Sequence, residues 1–214
     1  MILAVVAGMG SLAHATTNFD LSFTVSPQGT FLRQSSNDVC SEYNIPGCDM
    51  NPTFINLMAL GVQGGDTLTL DPGGEICFYD NPDCTLYPPD LAGIFSTSNV
   101  LLDPSVQDRV PGALAPGAGA TLVGDDPFLY TATGNLVTTI ADDFYIPTTV
   151  VVPAGANYLL VGVLDSGYAD NSVGNGSVTS ALSVEIMSIP EPSSAALMLG
   201  AIGGLWLVRR ITRR

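Results

Sequence analysis

Short runs of β-branched and aromatic residues, each bounded by Gly, Pro, Asn or Asp, recur along the middle of this 214-residue chain. Leu21–Val25, Phe54–Leu60, Thr67–Leu70, Ile76–Tyr79, Gly93–Phe95, Thr148–Val152, Tyr158–Leu164 and Val178–Ile186 each read as a strand. In the last of these, Leu182, Val184 and Ile186 alternate with Ala181, Ser183 and Glu185, the period of two of a strand with one buried face. Pro153-Ala154-Gly155-Ala156 separates two apolar runs and reads as a turn between neighbouring strands. Val110 to Gly124, rich in Pro, Ala and Gly, reads as a long surface loop. Helical periodicity is missing from this body, so the pattern predicts an all-β domain over residues 16–188, an antiparallel β-sandwich or jelly roll.

The two ends break this pattern. Residues 1–15 form an apolar run closing in Ala13-His14-Ala15, whose small flanking residues fit a signal-peptidase site with cleavage before Thr16. The lack of a positive residue ahead of it predicts a natural start further upstream. At the other end, Pro190-Glu191-Pro192 precedes sixteen uncharged residues, 193–208, and then Arg209, Arg210, Arg213 and Arg214. As a helix, sixteen residues span about 24 Å, which snorkelling arginines and local thinning extend across a bilayer. The arginines place the C-terminus in the cytoplasm and the body outside. Two prolines keep the backbone between domain and bilayer extended, leaving a strip accessible to a protease.

This order of Pro-Glu-Pro, short membrane span and terminal Arg cluster over residues 189–214 resembles the PEP-CTERM sorting signal of Gram-negative bacteria that make exopolysaccharide. The resemblance implies recognition by an exosortase, an integral-membrane cysteine protease. It further implies an inner-membrane anchor before processing, and then delivery to the cell surface or extracellular matrix. The stretch from Leu91-Ala92-Gly93-Ile94-Phe95 to Gly112 is similar to bodies commonly joined to such signals.

Charge narrows the chemistry. Residues 16–189 carry 19 acids against Arg33 and Arg109, a formal charge of −17, and the chain has no lysine. Such a surface repels phosphate backbones, which excludes a nucleic-acid partner. The single histidine, His14, lies in the leader. A Ser-His-Asp triad, a Cys-His pair, a Schiff-base lysine, a P-loop lysine and a His-rich zinc site are therefore all unattainable for the body. Carboxylate pairs at Asp125-Asp126 and Asp142-Asp143 leave glycosidase chemistry as an alternative, although neighbours in sequence point to different sides. A solvated acidic surface is the simpler account.

Four cysteines in an exported chain suggest disulfides, with three possible connectivities. Short closures favour Cys40 with Cys48 and Cys77 with Cys84. Tetrathiolate zinc is the competing reading, and no Cys-x-x-Cys pair supports it. One connection gathers oxygen donors: an apolar strand delivers Asp165 to its end, and a Gly-containing loop returns Asp170 and Asn171. Calcium takes 6–8 such oxygens and relieves the mutual repulsion of the two carboxylates. The plainer reading is a solvated turn, because Asp, Asn, Gly and Ser are ordinary turn formers.

Gly65-Asp66-Thr67-Leu68-Thr69-Leu70, taken with Tyr158–Ser172 and the closing strand, resembles the bacterial galactose-specific calcium lectin and related galactose-binding jelly rolls. That likeness implies calcium at Asp165, Asp170 and Asn171. The loop is shorter here, Asp170 stands where Asn is expected, Val173–Gly176 intrudes before the last strand, and the lectin's sugar-contacting His has no counterpart. Metal binding thus carries over more readily than galactose specificity. The expected function is a non-catalytic calcium- and carbohydrate-binding module of the matrix, with extracellular polysaccharide as partner. A structural or adhesive surface protein without a small ligand is the alternative.

Overall fold

The computed structural model describes residues 19–32, 51–77, 87–103, 106, 108–123, 140–164, 171–172 and 183–189. In chain order the strands are β1 (Asp20–Thr24), β2 (Thr53–Asn56), β3 (Thr67–Gly73), β4 (Leu91–Ser96), β5 (Ala113–Leu114), β6 (Phe144–Ile146), β7 (Thr148–Val151), β8 (Tyr158–Val163) and β9 (Ser183–Ile189). They form two sheets, ordered β1-β9-β3-β7 and β2-β8-β4-β5, with β6 also paired to β4. Every strand pairing is antiparallel. The body is an all-β sandwich.

Alternation builds the core between the sheets. Leu68 and Leu70 of β3, Val150 of β7, and Val184 and Ile186 of β9 meet Ile55 of β2, Leu91 and Phe95 of β4, and Leu159, Val161 and Val163 of β8. Each such side chain contributes roughly 1.5–3 kcal/mol on full burial. On the far face of the second sheet, Ala92, Ile94, Leu160 and Leu164 lie under Phe31, Leu32, Val110, Val123 and Ile140. This second layer explains why β4 is buried along its whole length and why β8 reads as a continuous apolar run rather than an alternating one. The first sheet turns threonines outward instead, and Thr69 Oγ1 lies 3.1 Å from Thr149 Oγ1 across the β3–β7 pair.

Gly93 sits on the inner face of β4 because an aromatic ring occupies the space its side chain would need. A Cβ there would stand 2.8 Å from Cζ of Phe144, whose ring stacks on Phe95 with centroids 5.3 Å apart. One residue later than β6, the chain has changed sheets: β6 pairs with β4, whereas β7, beyond Pro147, pairs with β3. Pro72 within β3 is tolerated because β7 pairs only with Thr67–Leu70, so its missing N–H falls beyond that ladder.

Several expectations need correction. Phe54–Leu60 is not one strand: β2 stops at Asn56, and Met58–Leu60 is a 3-10 turn closed by Gly61 at φ 76°. Asn56 Oδ1 accepts the Ala59 N–H at 3.0 Å, offering the backbone an alternative to the ladder. Of Ile76–Tyr79 only isolated bridges at Ile76 and Cys77 are described. The segment 110–123 is more than a surface loop. Val110 and Val123 are buried, it contributes β5, and Gly117 and Thr121 bond the backbones of Val151 and Tyr145. Residues 153–156 do turn, with Gly155 at φ 87°, but they join strands of different sheets. Among the described residues, no helix is long and apolar enough to cross a membrane; the expected helix 193–208 lies outside them.

Candidate functional site

The second sheet carries the connection singled out above to one end of the sandwich. Pairing of Leu91 with Val163 sets β8 beside the start of β4, and the Leu164 N–H donates to the Asp90 carbonyl at 2.8 Å. The chain re-enters the described structure at Asn171. Next to it Ser172 forms a two-way backbone bridge with Cys77: the Cys77 N–H donates to the Ser172 carbonyl at 2.8 Å, and the Ser172 N–H donates to the Cys77 carbonyl at 2.9 Å. A second bridge, Ile76 with Tyr87 at 2.9 Å in both directions, fixes the residue before Cys77. Both feet of the 165–170 connection are thus tied to the chain leading into β4 and out of β3.

Asn171 is 1% exposed, and neither its Oδ1 nor its Nδ2 has a hydrogen-bond partner among the described residues. An unsatisfied buried amide costs about 1–3 kcal/mol. A carbonyl oxygen of this kind is a hard donor of the class calcium takes. Asp165 and Asp170 lie outside the described residues, and among the described residues no three His, Cys, Asp or Glu side chains group closely enough to hold a metal.

Cys77 is fully buried and disulfide-bonded; Cys40, Cys48 and Cys84 lie outside the described residues. So do Pro190, Glu191, Pro192, Arg209, Arg210, Arg213 and Arg214, although β9 runs to Ile189, directly before the Pro-Glu-Pro motif in sequence. The Asp142-Asp143 pair does not present two carboxylates to one space: Asp142 is partly exposed while Asp143 is fully buried. Asp125 and Asp126 are outside the described residues.

Sequence reasoning missed the role of Arg109. It is 2% exposed, and its guanidinium donates from Nε to the Leu102 carbonyl at 3.2 Å and from Nη1 to the carbonyls of Thr30 at 3.2 Å and Leu32 at 2.9 Å. The cation ties the two loops that cover the second sheet. The only signal in the sequence is its rarity, one of two arginines in a body of 19 acids.

Comparison of the chain with protein-family models, with curated proteins and with solved structures finds no match.

Proposed function

We propose that this is an exported bacterial surface or extracellular-matrix protein, processed by an exosortase at its Pro190-Glu191-Pro192 signal, whose body is a non-catalytic calcium- and carbohydrate-binding jelly roll. The observation that carries the ligand reading is the buried amide of Asn171, which has no hydrogen-bond partner among the described residues. Asp165 and Asp170 supply charge to the same loop, and the calcium they hold orders a surface that faces extracellular polysaccharide. The sheet orders β1-β9-β3-β7 and β2-β8-β4-β5 support the jelly-roll description, because the chain crosses between sheets at most of its connections.

Calcium at 100 times its dissociation constant is expected to stabilise the folded protein by ~2.7 kcal/mol. In a domain of this size that raises Tm by roughly 5–10 °C. Asp165→Ala and Asp170→Ala each remove the shift, whereas Asp142→Ala retains it. Asn171→Leu behaves in a more diagnostic way. Without calcium it is as stable as wild type or more so, since an unpaired amide has left the interior, yet its calcium shift is gone. No shift in wild type, or equal shifts in all four variants, refutes the cation site. A glycan array read with and without chelator then separates a calcium-dependent lectin from an adhesive protein without a small ligand.

Export is tested separately. Replacing Pro190-Glu191-Pro192 with three alanines is expected to leave an unprocessed, membrane-retained protein in the native host. Release of that variant at the wild-type level contradicts the sorting assignment.

A further inference from the structure

We propose that the outer edge of β1 is a docking site for a second copy of this chain, joined strand to strand in an antiparallel pair. The inference is independent of the calcium reading. The Ser188 N–H donates to the Phe19 carbonyl at 3.2 Å, and the β1–β9 register continues from there, with Asp20 opposite Met187 through to Thr24 opposite Ser183. Bonded and non-bonded pairs alternate in an antiparallel ladder. Leu21 and Phe23 therefore turn their N–H and carbonyl groups to β9, while Asp20, Ser22 and Thr24 turn theirs away from it. β1 ends the sheet on that side. Asp20, Ser22 and Thr24 are exposed, and among the described residues only the Thr24 carbonyl finds a partner there, the Thr53 hydroxyl at 3.0 Å. The opposite edge of the same sheet is covered: the Gly117 N–H donates to the Val151 carbonyl at 2.9 Å, and the Val151 N–H to the Ala118 carbonyl at 3.0 Å. β1 lacks such cover, and it holds neither the proline nor the lysine that commonly guards a free edge. Leu21 adds an apolar contact. It lies on the core side, opposite the buried Ile186, yet it is 38% exposed.

The edge is self-complementary, which commits it to a second copy. Pairing about a two-fold axis at Ser22 sets Ser22 opposite its own counterpart and Asp20 opposite Thr24 of the second copy, so all three outward residues enter bonded pairs. Leu21 then stands opposite Phe23 of the second copy in the closer, non-bonded pair, where the exposed leucine gains cover. A shift of two residues in either direction drops one outward residue from the pairing. A shift of four opposes the two Asp20 side chains, which is destabilising. In the favoured register the two Asp20 residues are four positions apart along the strands, about 14 Å. The two Glu185 residues, each one strand further in, are three strand spacings apart, also about 14 Å. Both separations exceed the Debye length of about 8 Å at physiological salt.

The test combines disulfide trapping with sedimentation equilibrium on the full chain in density-matched detergent. Oxidised Ser22→Cys is expected to run as a covalent dimer on a non-reducing gel, because the Cα atoms of a bonded pair lie about 5.5 Å apart, inside the range a disulfide spans. Asp20→Cys alone stays monomeric on that gel, whereas a mixture of Asp20→Cys with Thr24→Cys links. Wild type is expected to show a reversible monomer–dimer equilibrium that tightens as salt rises, since each copy carries a net charge of −14. Ser22→Pro removes an N–H that points away from β9, so its circular dichroism and urea midpoint hold. Its dimerisation weakens by about tenfold or more, because the symmetric pair loses that bond twice. Equal trapping of Ser22→Cys and Asp20→Cys overturns the register and the proposal with it. A wild type that stays monomeric at every concentration reached also overturns it, as does an undiminished dimer in folded Ser22→Pro, the result expected of a contact through the C-terminal span. If Ser22→Pro fails to fold, the trapping pattern decides.

Discussion

Arg109→Met is expected to lower unfolding stability by about 3 kcal/mol, read as a fall in the urea midpoint at constant slope. The corresponding drop in Tm is roughly 6–12 °C. Arg109 is the donor to three loop carbonyls, those of Thr30, Leu32 and Leu102. Methionine fills much of its volume but donates nothing, so carbonyls under the loop layer lose their partners while the apolar packing survives. Arg109→Lys is expected to recover only part of the loss. A single ammonium lacks the planar fork that reaches Leu102 from Nε while Nη1 serves Thr30 and Leu32. The consequence extends beyond stability, because Gly29, from the loop that Arg109 holds, accepts the Val163 N–H at 3.0 Å and so braces the end of β8 from which the candidate cation loop departs. A change below 1 kcal/mol in Arg109→Met refutes this role.

Gly93→Val is expected to be at least as damaging, with a loss of about 3 kcal/mol or failure to fold. Beyond Cζ of Phe144 at 2.8 Å, a Cβ at position 93 meets Cε2 of the same ring at 2.9 Å and Cδ1 of Leu159 at 3.3 Å. The ring cannot move away, since it is fully buried and stacked on Phe95. Trimming the ring tests the cause directly. In a Gly93→Val, Phe144→Leu double variant the two losses should fall short of their sum by 1 kcal/mol or more, as expected for residues sharing one space. Strict additivity, measured by denaturant unfolding of the four proteins in the cycle, contradicts the steric explanation. Gly65→Ala is a useful contrast: nothing lies within 4 Å of its Cβ, so only its φ of +99° opposes the change, at about 1 kcal/mol.

Which parts of this architecture were legible in the sequence follows from how each strand is buried. β3, β8 and β9 are long and rich in Leu, Val and Ile, and one or both faces are covered, so alternation or an apolar run marks them. β5 and β6 span two and three residues, too short to show any period. They are held by what they pair with: Ser96 with Ala113, and Leu91 with Ile146. The glycine at 93 interrupts an apolar run and gives no hint that Phe144, 51 positions later, fills its place. The candidate donors Asp165, Asp170 and Asn171 stand out in the sequence only as a composition, an Asp- and Asn-bearing connection after an apolar strand. That Ser172, next to the buried Asn171, would bridge to Cys77 depends on a contact between residues 95 positions apart, which local pattern does not encode.

The most direct test of the cation-binding account is a crystal structure of the oxidised protein grown with and without calcium. The account predicts an ion with Asn171 Oδ1 among its ligands at roughly 2.3–2.6 Å, carboxylate oxygens of Asp165 and Asp170 completing the shell, and no ion in the chelated crystal. A structure in millimolar calcium that shows the Asn171 amide hydrogen-bonded to protein groups, with no cation beside it, contradicts the account.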